Sequence, residues 1–113
     1  MELSKDLVAA SATPLILSIL SRGDSYGYAI IKEVRRISNG TMNWTDGMLY
    51  PVLHRLEKQN LVESETRRAD NGRLRKYYRI KETGHTALTE YKQQWTAVHQ
   101  TLKKVWEIKP CLS

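Results

Sequence analysis

Cysteine is nearly missing from this chain of 113 residues, which has one, Cys111, together with three prolines and no phenylalanine. A single thiol closes no internal disulfide, so a disulfide-stapled secreted scaffold is excluded and a reducing cytoplasm is the expected compartment. A cysteine so near the end of the chain has no fixed pocket around it and makes a poor nucleophile. His54, His85 and His99 lack the spacing of metal ligands, and there is no glycine-rich loop to cradle a phosphate. The carboxylates are scattered, mostly on helix surfaces beside Lys or Arg. The chain therefore does not read as an enzyme, and no catalytic residue, metal or cofactor is expected. The apolar stretch Leu15–Leu20 is too short to cross a membrane, and no cleavage pattern follows it, so neither an anchor nor a secretory leader is expected.

Negative charge is also scarce. Twelve Asp and Glu against 18 Lys and Arg leave a formal net charge of +6 and a pI of about 9.6. An excess of that size favours a polyanionic partner. The excess is concentrated: Arg67, Arg68, Arg73, Arg75, Lys76, Arg79 and Lys81 fall in the run RRADNGRLRKYYRIK, where only Asp70 opposes them. Asn71-Gly72 signals a tight turn, since both residues accept positive φ, and the flanking residues 61–68 and 74–80 read as strands. A small hairpin loaded with positive charge is suited to holding a phosphate backbone. The plainer alternative is a surface hairpin kept soluble by its charge. Tyr77 and Tyr78 alternate across their strand, so one packs inward and the other outward.

Four helical patterns surround this hairpin. Residues 4–21 are apolar almost all round in their second half, with Pro14 predicting a kink or a restart. Residues 26–38 follow, with Asp24 or Ser25 as the expected cap, a buried stripe of Tyr26, Ile30, Val34 and Ile37, and Asn39-Gly40 as a left-handed stop. Residues 45–59 begin at a capping Thr45, turn Leu49, Val52, Leu53 and Leu56 inward, and end at Asn60. Pro51 breaks a local rule there, beyond the first turn, and such breaks tend to mark function or a bend. A long helix then runs from Glu82 to about Trp106. A polar-faced helix followed by a basic hairpin is the pattern of a winged helix-turn-helix. The expected fold is mostly α with a small β-hairpin: a DNA-binding domain at residues 1–81 and a C-terminal dimerisation helix at 82–113.

Leu88, Tyr91, Trp95, Val98, Leu102 and Val105 repeat at intervals of 3, 4, 3, 4 and 3, a heptad seam. Leu3, Leu7, Ala10, Pro14 and Leu17 repeat a similar spacing near the N-terminus. Two seams in so short a chain point to a two-fold homodimer, which would offer two helices to a near-palindromic operator. The alternative is a single amphipathic helix packed on its own domain.

The segments SRGDSYGYAIIKEV, DGMLYPVLHRLEKQNLVES and NGRLRKYYRIKETG resemble the PadR family of bacterial transcriptional regulators, in particular its short members with one C-terminal helix. The resemblance covers residues 13–88 closely and the last helix by pattern. It implies a winged-helix homodimer and a repressor relieved by a small molecule. Carried onto this sequence, it implies a recognition helix whose Tyr50, Pro51, His54, Arg55 and Lys58 face double-stranded DNA. It also implies a wing of Asn71, Gly72, Arg73, Arg75 and Lys76. Arg55 would either fork onto a guanine or clamp a phosphate; Lys58, Arg73, Arg75 and Lys76 would position on phosphates without reading sequence. Two departures stand out: Lys81 follows Ile80 where the family usually supplies a capping Thr, leaving Thr83 to take over, and Met48 stands where a Thr is common.

Trp95 lies mid-seam, where a flat indole packs poorly against small residues such as Ala10 and Ser18. Short PadR-like proteins bind planar or lipophilic effectors at such a position. The resemblance thus implies an apolar effector site lined by Leu7, Ala10, Pro14, Ser18, Trp95 and His99. A winged helix that binds a protein partner, and a nucleic-acid binder without sequence preference, are the other readings of the same surface.

Overall fold

The helices form where apolar residues recur on one side, and their buried sides meet in a single core. The computed structural model describes residues 1–108, so Cys111 lies outside the described residues. The elements are α1 (Lys5–Leu20), β1 (Ser25–Tyr26), α2 (Gly27–Ile37), α3 (Asp46–Lys58), β2 (Val62–Arg68), β3 (Leu74–Ile80) and α4 (Glu82–Glu107). Ile16, Leu17 and Leu20 of α1, Ile30 and Val34 of α2, and Leu49, Leu53 and Leu56 of α3 form the centre of the core. Val62 and Tyr78 close it from the sheet and Leu88 from α4.

α1 begins at Ser4, whose hydroxyl accepts a hydrogen bond from the Leu7 amide. It runs through Pro14 as one helix rather than restarting there. The carbonyl that loses its partner is that of Ala10, an exposed residue, so water is available to it. Residue Asn39 adopts φ 52° and Gly40 φ 81°, and the Gly40 amide bonds back to the Arg35 carbonyl, so α2 stops on the expected left-handed turn. Ile37 is exposed rather than part of the buried stripe. Asn60, at φ 64°, ends α3 in the same way, with the Leu61 amide on the Leu56 carbonyl.

The sheet has three strands in the order β1-β3-β2, all antiparallel, so β3 is central. The short strand β1 is not apparent in the sequence pattern; it replaces the expected cap. Neither Asp24 nor Ser25 caps α2: the cap position is Tyr26, without a side-chain bond. Ser25 and Tyr26 pair with Tyr78 and Tyr77 instead. The hairpin turn is also looser than a two-residue one. The Ala69 amide bonds the Arg73 carbonyl, the Gly72 amide bonds the Ala69 carbonyl, and Gly72 alone of Asn71 and Gly72 takes positive φ. Asn71 serves through its side chain, accepting from the Arg73 amide at 3.0 Å.

α4 starts at Glu82 with Lys81 in the cap position and no side-chain cap. Thr83 does not take over, because its hydroxyl donates to the Asn60 carbonyl. That bond moors the helix start to the end of α3. Gly84 supports it by close approach: a Cβ there would strike the Leu61 carbonyl oxygen.

Candidate nucleic-acid interface

The solvent face of α3 and the inner face of the wing enclose a cleft of about 660 Å³, lined by Tyr50, Pro51, His54, Arg55, Lys58, Lys76 and Tyr78. All five residues expected on the recognition helix therefore lie together, and no carboxylate lines the cleft. Thr45 caps this helix by accepting from the Met48 amide at 3.3 Å, and Asp46 occupies the first turn. Leu49, Leu53 and Leu56 anchor its opposite side in the core, which fixes which residues face outward.

Tyr50 is placed by a glycine. A Cβ at Gly27, the first residue of α2, would run into the Tyr50 hydroxyl and lie 2.7 Å from its Cζ. The phenol thus rests on the N-terminus of α2, where backbone amides have no intrahelical acceptor. Gly27 has no signal in the helical pattern; only the packing shows its use.

The wing divides its charge between two faces. β2 and β3 alternate, so Arg75, Tyr77 and Arg79 share one face with Glu63, Glu65 and Arg67, while Lys76 and Tyr78 point to the other. On the outer face Arg67 donates to Asp24 and Glu65, and Arg79 reaches Asp24 at 3.0 Å and Glu63 at 3.7 Å. Asp70 is therefore not the sole opposing carboxylate. The hydrogen bond from Arg67, with Arg79 beside it, holds the Asp24 carboxyl below its ordinary range. Arg75 stacks over Tyr26, its guanidinium carbon 4.4 Å from the ring centre, and does not line the cleft. Arg67 lies over Tyr77 in the same manner, at 4.8 Å, and Tyr26 and Tyr77 meet edge to face.

Lys76 is the wing residue that faces α3, 3.9 Å from Glu57 and over the ring of buried Tyr78. Burial pushes the Tyr78 phenol up from its ordinary pKa, so it stays a neutral donor. Asn71, Gly72 and Arg73 are exposed at the wing tip. Arg68 folds back to the Gly72 carbonyl at 2.8 Å. Among the described residues, neither Arg68 nor Arg73 has a carboxylate partner.

A second concavity lies between α1 and α4. It is an apolar groove of about 410 Å³ lined by Leu3, Leu7, Ser11, Pro14, Leu15, Ser18, Met42 and Trp95. Leu7, Pro14, Ser18 and Trp95 were expected there; Ala10 and His99 are exposed but do not line it. Met42 comes from the loop before α3 and could not be found by helical spacing. Of the expected seam, Leu88 is 4% exposed and belongs to the domain's own core, and Tyr91 packs partly against it. Trp95, Leu102 and Val105 are exposed, as is Val98 at 53%. Leu17, placed by spacing on the α1 seam, is fully buried.

Residues 16–90 match the Transcriptional regulator PadR-like family. The chain belongs to that family. It is 28% identical to a PadR-like transcriptional regulator of Bacillus cereus, with a TM-score of 0.83 over 93% of this chain and 100% of the other. A PadR family transcriptional regulator of Eggerthella lenta is 32% identical, with a TM-score of 0.75 over 92% and 88%. Transcriptional regulator YqjI of Escherichia coli is 34% identical over 79% of this chain, a match that spans 41% of YqjI. The PadR-like fold accounts for the winged helix and the long last helix, and the family is one of transcriptional regulators rather than enzymes. Among the described residues no group of His, Cys, Asp and Glu is arranged to hold a metal ion, and no helix is long and apolar enough to cross a membrane.

Proposed function

We propose that this PadR-like protein binds double-stranded DNA in a sequence-specific way, as a cytoplasmic homodimeric repressor. One observation supports this most: the cleft between α3 and the wing gathers Arg55, Lys58 and Lys76 with Tyr50 and His54, without a carboxylate in its lining. Arg55 and His54 would face base edges, while Lys58, Lys76, Arg68 and Arg73 would lie on phosphates. The bare apolar stripe of Trp95, Val98, Leu102 and Val105 on α4 supports a dimer, since such a stripe is not left in water without a partner. A two-fold axis along it would set the two α3 helices about one DNA turn apart, roughly 34 Å. The groove beside Trp95 suits a planar apolar effector, whose insertion would alter that spacing and release the operator.

The experiment is selection of duplexes from a random-sequence pool, followed by competition with scrambled DNA. Recovery of a near-palindromic site that outlasts competitor is the expected result, with the preference lost in Arg55→Ala. Equal competition by any duplex, or no recovery, would contradict sequence-specific binding.

A further inference from the structure

Among the described residues Thr13 is the buried polar side chain, 6% exposed, set in α1 between Ala12 and Ile16. A helical hydroxyl is ordinarily satisfied by the carbonyl one turn earlier. Ser11 does this toward Leu7, Thr89 toward His85 and Thr101 toward Ala97. Thr13 makes no such bond. Its Oγ1 accepts instead from Nη2 of Arg55, at 3.1 Å and 42 residues away in the chain.

The contact is unusual in its charge. Arg67 and Arg79 are held by carboxylates, which cancel them. Arg55 enters no ion pair among the described residues. A neutral acceptor fixes the side chain and leaves its positive charge whole. It also occupies one of the five guanidinium donors, so the rest of the fork stays available in the cleft that Arg55 lines. A free arginine surrenders much rotamer entropy when it docks; one already held surrenders less.

We propose that Thr13 is a positioning residue for DNA recognition, holding Arg55 preorganised at the edge of the recognition cleft. This rests on the reading of the cleft as the DNA site. Thr13 adjoins Pro14, which lines the groove beside Trp95. Any displacement of α1 at that groove is thus carried to the anchor of Arg55.

The test is a double-mutant cycle on a duplex that the wild-type protein selects from a random pool. Thr13→Val keeps the shape and removes the hydroxyl. It is expected to weaken binding about fivefold, the worth of a single hydrogen bond, with the salt dependence unchanged because no phosphate contact is lost. Thr13→Ser should bind as wild type, and Thr13→Val should cost nothing more in an Arg55→Ala background. Thr13→Ala serves in place of Thr13→Val if the valine variant does not fold. Wild-type affinity in Thr13→Val, failure of Thr13→Ser to preserve binding, or a full loss persisting in the Arg55→Ala background would each overturn the proposal while leaving the DNA reading intact. A wild type that selects no duplex overturns that reading, and Thr13 with it.

Discussion

Arginines a few positions apart in this hairpin have different work, and substitution separates them. Arg73 is exposed at the wing tip without a carboxylate partner. Arg73→Ala is expected to weaken duplex binding evenly across sequences and to reduce the salt slope by about one. Arg79→Ala removes one of the two cations on Asp24. It should leave that slope unchanged and instead lower thermal stability. Binding isotherms at several salt concentrations, beside melting curves, check both. The two glycines of close approach separate in the same way. At Gly84 the obstacle to a Cβ is backbone, the Leu61 carbonyl, which yields little; Gly84→Ala is expected to cost about 1–3 kcal/mol in denaturant unfolding. At Gly27 the obstacle is the end of the Tyr50 ring, which can swing outward. Gly27→Ala should therefore leave stability nearly intact and weaken DNA binding.

The outer face of the wing is tied to the α1–α2 turn by Asp24, so its geometry depends on that carboxylate being charged. The folded-state pKa of Asp24 lies below its ordinary 3.8. For a depressed carboxyl the stabilisation is complete above the unfolded value and is lost as pH falls through the folded one. At neutral pH the clasp is whole. Below pH 3.8 it weakens, and amide exchange at Ser25 and Tyr26 should accelerate there. Asp24→Asn should show that faster exchange already at pH 7; unchanged exchange would refute the clasp. In sequence the helices, both left-handed stops, the Thr45 cap and the alternation of Tyr77 and Tyr78 were legible, because each is a local signal. So was the gathering of Tyr50, Pro51, His54, Arg55 and Lys58 on one side of α3, which follows from helical spacing. The pairing of Asp24 with Arg67 and Arg79 was not, since it joins residues 43 and 55 positions apart. Strand β1 escaped for a related reason: two residues carry no period, and their pairing depends on β3. Leu88 fits the heptad seam by spacing, yet α4 still lies on its own domain there and leaves it only further on.

That departure shapes the subunit. Its radius of gyration is 16.9 Å with a longest extent of 68 Å, against about 13 Å for a compact chain of this length. The outer part of α4, with Val98, Leu102 and Val105 exposed, reaches away from the core without a covering element. Replacing Val98 and Leu102 together by Glu is expected to give a folded monomer in sedimentation, with duplex affinity falling sharply as the two half-sites uncouple. The most direct measurement is affinity for the selected duplex as a function of salt concentration. Lys58, Arg68, Arg73 and Lys76 on two subunits would neutralise about eight phosphates, and log affinity should then fall with log salt at a slope of about −7. A slope near zero, or binding that persists unchanged at high salt, would contradict a DNA interface built from α3 and the wing.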